Sequence, residues 1–127
     1  MKNITTIGRI LFALPFAVFG INHFIMKDYY IGIITSFIPL GAYTIFLTGI
    51  MLIAVSISII IKKYIKISTI ILAILLFLFI ATIHIPHLIN GNDQTVTLIA
   101  LLKDISLMGG SLMIAGIYSE EDTNSAK

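Results

Sequence analysis

Four long, almost uninterrupted apolar stretches constrain this chain more than any other feature of its sequence. They cover residues 6–26, 37–61, 65–85 and 95–118, approximately. Each is long enough to cross the roughly 30 Å of hydrocarbon in a bilayer as an α-helix. Because only helices and closed barrels satisfy the backbone there, the pattern predicts an all-α fold. We expect one domain, an integral membrane four-helix bundle over residues 1–118, followed by a polar cytoplasmic tail at 119–127.

The composition agrees with a membrane protein and excludes several functions. Hydrophobic residues make up 58% of the 127 residues and charged residues 11%, whereas soluble domains have about 45–50% and 25%. A soluble domain of this size buries too little surface to hide so many apolar side chains, so the lipid bilayer is the expected surrounding partner. The net charge of +2 is too small to indicate nucleic-acid binding. The absence of cysteine excludes disulfides, thiol nucleophiles and thiolate metal ligands.

The distribution of lysines predicts the orientation in the membrane. Lys62, Lys63 and Lys66 lie at the second connection, the first has only Lys27, and the third has no Lys or Arg. Positively charged loops remain on the cytoplasmic side, so both termini and the middle loop are predicted to be cytoplasmic. The segment 29–43, which mixes Gly, Pro and Tyr with apolar residues, is expected to lie at the outer interface or to dip into it.

A shift of about 61 residues aligns the two halves of the chain without a gap. It places His23 on His84 and Gly49 on Gly110. Chance identity is frequent in Ile- and Leu-rich sequence, so only these matches support a duplication. A duplication would give two parallel helical-hairpin repeats around an axis along the membrane normal.

Several polar residues fall within the predicted spans. At about 1.5 Å per residue, His23 lies roughly 25 Å from the cytoplasmic start of the first span, and His84 lies at a similar height. His87 is one turn further, and Lys103 and Asp104 lie roughly 13 Å from the outer side. Such groups are costly in hydrocarbon and usually face the bundle interior with a partner. The three histidines and the carboxylate are therefore predicted to converge in the outer half of the bundle.

Three further positions bear on this cluster. Pro86 disfavours helical geometry at Ile85, which predicts that the third span ends there. Asn22, beside His23, can bridge helices through its amide. Arg9 lies only about 5 Å from the cytoplasmic edge of its span, from which its side chain can extend to lipid phosphates.

Two interpretations of the polar cluster remain open. In the first, the cluster is an outward-facing pocket for a quinone or another small-molecule head group, or it is a proton relay. A metal site on His23, His84 and Asp104 is the least favoured form of this interpretation. In the second it consists of interhelical hydrogen bonds that fix the packing of the bundle. Small residues in the fourth span also indicate close helix approach, namely Ser106, Gly109, Gly110, Ser111 and Ala115.

Five motifs occur in order along nearly the whole chain. They are Gly8-Arg9-Ile10-Leu11, Phe19-Gly20-Ile21-Asn22-His23-Phe24, Leu47-Thr48-Gly49-Ile50, residues 79–87, and Leu102-Lys103-Asp104-Ile105-Ser106-Leu107-Met108-Gly109-Gly110. This ordered set resembles the DoxX family of small bacterial membrane proteins. The resemblance implies a four-helix, multi-pass protein of the bacterial cytoplasmic (inner) membrane. Members of this family are linked by name to a thiosulfate:quinone oxidoreductase and to membrane oxidoreductase complexes, and most have no assigned activity. The positions that match a family pocket are Arg9, His23 and Lys103, with Asp104 adjacent, although many relatives carry Lys in place of His23.

Three functions follow as hypotheses. The first is an accessory or partner subunit of a membrane complex, since the chain leaves little mass outside the bilayer for a catalytic domain. The second is a quinone-linked membrane oxidoreductase component, and the third is a small-molecule transporter subunit, which with four spans would need to form a homo-oligomer. The sequence does not identify catalytic residues, a substrate or a cofactor.

Overall fold

The fold is helical throughout the described part of the chain. The computed structural model describes residues 2–33, 41–91 and 93–125, with side chains except at 33 and 120–125. The elements are α1 (Lys2–Ile25), α2 (Lys27–Ile33), α3 (Ala42–Ile61), α4 (Ile65–Phe79), a π-helical turn (Ile80–His84), α5 (Ile85–Asn90) and α6 (Gln94–Ser125).

Four helical stretches within these ranges are long and apolar enough to cross a membrane. They are Lys2–Ile25, Ala42–Ile61, Ile65–Asn90 and Gln94–Ser119. The predicted all-α fold with four spans is thereby confirmed, and the chain has the architecture of a multi-pass membrane protein. The second span was predicted to begin near residue 37, and α3 begins at Ala42. The short helix α2 covers the first part of the predicted interfacial segment, while residues 34–40 lie outside the described residues.

The third span does not end at Ile85, so the prediction based on Pro86 is wrong. The helix continues to Asn90 through the π-helical turn, in which the Ile85 N–H bonds the Ile80 carbonyl five residues earlier. A proline in a regular α-helix clashes with the carbonyl four residues before it and lacks the N–H that would bond it. The π-helical turn inserts an extra residue at this point, which relieves the clash without stopping the helix.

Two helical hairpins make up the bundle. In the first, α1 packs against α3, and in the second, α4 packs against α6. The Ser56 hydroxyl donates to the Ala13 carbonyl at 2.7 Å in the first hairpin, and the Ser111 hydroxyl donates to the Thr69 carbonyl at 2.5 Å in the second. The central core is formed by buried side chains of α1, α3 and α4: Ala13, Phe16, Leu52, Val55, Ile59, Leu72, Leu75 and Leu76.

The residues that suggested a repeat do not have equivalent surroundings. Gly49 lies against Gly20 and His23 of its own hairpin, whereas Gly110 lies against Phe12 of the other hairpin. The serines that bond across each hairpin are not aligned by the shift of about 61 residues. The contacts of these glycines therefore give no support to two superimposable halves.

Candidate functional site in the membrane-spanning helices

In the second hairpin, the side chains of His84 and Asp104 bond each other. The imidazole Nε2 lies 2.6 Å from the carboxylate Oδ2, and the two side chains are 18% and 13% exposed. His84 is the last residue of the π-helical turn, and Asp104 is one-third of the way along α6. The Nε2–H donates to the carboxylate, an arrangement that orients the ring. A ring held in this way can exchange a proton through its other nitrogen.

His87 does not join this pair. It follows His84 by three residues on α5, but its Nδ1 lies 2.8 Å from the carbonyl of Ile83, to which it donates. The ring is therefore turned back along its own helix. Of the two histidines predicted to share one helix face, only His84 contacts α6 through a hydrogen bond of the described residues.

His23 lies in a different environment, in the first hairpin. Its side chain is buried, its Nδ1 donates to the Phe19 carbonyl at 2.7 Å, and its ring stacks on Tyr30 with centroids 4.1 Å apart. Tyr30 belongs to α2, which therefore folds back over the end of α1. Burial, with a smaller contribution from Tyr29, raises the pKa of the Tyr30 phenol, so the stacked ring remains neutral.

The predicted convergence of His23, His84 and Asp104 is not found. Within the described ranges, no group of three or more His, Cys, Asp or Glu side chains is placed to hold a metal ion. The reason is the pairing of the helices. His23 points toward α2 and α3, while His84 and Asp104 belong to the second hairpin and bond each other.

Arg9 is buried, in contrast to the predicted extension toward lipid phosphates. Its Nη1 donates to the carbonyls of Ile59, by a short contact, and Ile60, at 2.7 Å. These carbonyls belong to the last turn of α3, which carries the negative end of the helix dipole. The Ile59 carbonyl also accepts a long backbone bond from the Lys62 N–H, at 3.4 Å. The guanidinium thus links the start of α1 to the end of α3.

The remaining predicted site residues differ in exposure. Asn22 is half-buried on α1 beside His23, and Lys103 is exposed on α6 beside Asp104. Adjacent residues on a helix point about 100° apart, which explains why Asp104 faces α4 and the π-helical turn while Lys103 faces away from the bundle. The sequence predicted that each would need a partner on another helix. Asp104 has one in His84.

Sequence reasoning missed two features of these sites. Tyr30 falls in the segment 29–43 that is predicted to lie at the outer interface, and only the fold of α2 onto α1 makes it the partner of His23. The π-helical turn had a detectable signal in Pro86, because a proline inside an apolar run of this length is compatible with an inserted residue as well as with a helix end.

A search for related proteins found no match among family models, curated proteins or solved structures.

Proposed function

We propose that this protein is a DoxX-like accessory or partner subunit of a membrane complex, located in the bacterial cytoplasmic membrane with both termini in the cytoplasm. The exposed side chain of Lys103 carries the proposal. It lies nine residues from the start of α6, roughly 13 Å along the helix axis. A lysine at the centre of a bilayer costs about 2.5–3.5 kcal/mol when it faces lipid.

A partner helix would remove this cost. The carboxylate next to Lys103 in sequence, Asp104, already accepts from His84 and points away from Lys103. Lys103 has no acceptor among the residues that the structure describes, and a carboxylate or a row of carbonyls on another subunit would supply one. The α6 surface around it also carries the exposed small residues Ser106 and Gly109, which allow another helix to approach closely.

Affinity purification from native membranes tests this proposal. The substitution Lys103→Leu is expected to lower recovery of companion subunits by about tenfold, the equivalent of one charge-assisted hydrogen bond in the membrane. Lys66→Leu is the matched control, since Lys66 is an exposed lysine in the first turn of α4 at the membrane edge. Equal recovery from both variants, or a wild-type protein that purifies alone as a monomer, would contradict the proposal.

A second candidate function is a quinone-linked component of a membrane oxidoreductase, favoured by the His84–Asp104 pair. An imidazole held by a carboxylate can donate to a quinone carbonyl and deliver a proton when an electron-transfer partner in the complex supplies the electrons that reduce the quinone. The substitution His84→Gln keeps a hydrogen-bonding side chain but removes the proton carrier, and it is expected to slow quinone reduction in native membranes by about 10²-fold. An unchanged rate would leave the subunit without a redox role.

A further inference from the structure

A cavity of about 310 Å³ lies between α1 and α6, and its wall on α6 begins at Gly110, six residues after Asp104. Its size is at the lower end of the range of small-molecule sites. Gly8 and Phe12 of α1 and Met113 and Ile114 of α6 form part of an almost entirely apolar wall. Among the described residues of that wall, Arg9 is the one that carries a charge. The described wall therefore combines a long apolar surface with a cation.

The guanidinium of Arg9 has an edge that protein groups do not use. Within the described residues its hydrogen bonds engage only Nη1, through Ile59 and Ile60, and the buried Nε–H has no acceptor. The Arg9 side chain is 9% exposed. A buried donor without an acceptor is costly. The Nε–H and Nη2–H groups along one edge of an arginine can donate two parallel hydrogen bonds to two oxygens of a phosphate.

Several lysines lie at the Tyr118 end of the cavity or in the nearby connection between α3 and α4. Tyr118 closes the end of the wall, and the Lys62 ammonium lies 5.5 Å from the centroid of its ring. Lys63 and Lys66 follow at the same end of the bundle, in the connection between α3 and α4. Clusters of lysine and arginine at a membrane surface attract anionic lipids.

We propose that this α1–α6 cavity binds an anionic phospholipid, with the lipid phosphate on the Nε–Nη2 edge of Arg9 and an acyl chain along Phe12, Met113 and Ile114. The depth of the site agrees with this assignment. Arg9 is seven residues from the start of α1, roughly 10 Å along the helix axis. Because α1 is longer than the hydrocarbon layer is thick, its first residues extend beyond that layer, and Arg9 lies close to the polar boundary. A phosphate at that boundary reaches Arg9 while its chain remains in hydrocarbon.

Lipid retention by the purified protein, measured by native mass spectrometry with phosphatidylglycerol and with phosphatidylcholine, tests the proposal. Gly8→Leu is the most informative variant, because a Cβ at Gly8 meets nothing within 4 Å and the side chain would fill the cavity while Arg9 stays in place. Gly116→Leu is its matched control, on α6 with equally open space and outside the cavity wall. Arg9→Gln and Lys66→Gln form a second pair, which compares the cation of the cavity with an exposed cation at the same membrane end.

We expect phosphatidylglycerol to be retained in preference to phosphatidylcholine by the wild type and by the two controls, Gly116→Leu and Lys66→Gln. Retention of phosphatidylglycerol is expected to be about tenfold lower in Gly8→Leu and in Arg9→Gln. Unchanged retention in Gly8→Leu and Arg9→Gln, or equal retention of both lipids by wild type, overturns the proposal. Displacement of phosphatidylglycerol by millimolar inorganic phosphate also overturns it, because the site would then recognise free phosphate.

The acidic residues that follow Tyr118 in sequence offer a competing occupant. They are Glu120, Glu121 and Asp122. Neutralising them together, as Glu120→Gln, Glu121→Gln and Asp122→Asn, removes three surface charges, each able to change lipid retention by about fivefold. The resulting gain in phosphatidylglycerol retention is expected to be the same with and without Gly8→Leu. A larger gain where Gly8 is kept would identify the tail carboxylates as the native occupant of the cavity and overturn the lipid assignment.

Discussion

Replacing Gly49 with leucine is expected to force α1 and α3 apart and to lower the free energy of unfolding by about 3 kcal/mol. A Cβ at Gly49 would lie 2.9 Å from the Gly20 carbonyl oxygen, from the Cβ of His23 and from the ring of Phe24. A backbone oxygen and a Cβ cannot rotate away, so the helices themselves must move. The same crossing excludes a side chain at Gly20, where a Cβ would lie 2.8 Å from the Gly49 carbonyl oxygen.

Unfolding of the protein in mixed micelles of mild detergent and SDS, followed by circular dichroism, measures this effect. Gly116→Leu provides the control, since it adds the same side chain to a helix glycine with open space around it. It is expected to change the free energy of unfolding by less than about 1 kcal/mol, mostly through helix propensity. If Gly49→Leu were as mild as Gly116→Leu, the close crossing of α1 and α3 would be wrong.

The number and type of the spans could be predicted because they depend on length and hydropathy alone. A run of about 20 apolar residues has few alternatives to a membrane helix, whatever its neighbours are. The different directions of Lys103 and Asp104 were equally predictable, since the angle of about 100° between adjacent residues is a property of the helix. The need of Asp104 for a partner followed from the cost of a carboxylate in hydrocarbon.

The choice of partners could not be predicted, because it depends on which helices pair. His23 and His84 were expected at similar heights, but height says nothing about the direction of a side chain around the bundle axis. His23 meets Tyr30 because α2 folds back onto α1. Arg9 had two acceptable environments, lipid phosphates and the carbonyls at the end of α3. Only the packing of α1 on α3 places Ile59 and Ile60 within its reach.

The π-helical turn shows a second kind of limit. Pro86 predicts a disturbance of the helix, and the sequence alone does not distinguish a helix end from an inserted residue. The difference matters for the site, because the insertion rotates everything that follows Ile80 relative to α4. His84, at the end of the turn, reaches Asp104 in this geometry.

Separating His84 from Asp104 is expected to have unequal effects on stability according to which partner is removed. His84→Ala leaves the Asp104 carboxylate without its donor in apolar surroundings, and we expect a loss of about 2–3 kcal/mol in the free energy of unfolding. Asp104→Ala leaves an imidazole, which can remain as an uncharged ring, and we expect a loss of about 1 kcal/mol. The partial exposure of both side chains, 18% and 13%, keeps these values at or below the lower end of the range for fully buried pairs.

The double variant distinguishes a real pair from two independent residues. With both groups removed, no unpaired carboxylate remains, so the double variant is expected to be about 1–2 kcal/mol more stable than the sum of the single losses predicts. His87→Ala serves as the matched control, because His87 bonds only the Ile83 carbonyl of its own helix in the described residues. It is expected to show no coupling with Asp104→Ala. Strictly additive losses for His84 and Asp104 would mean that the 2.6 Å contact does not persist in the membrane, and the proposed proton-exchanging pair would lose its basis.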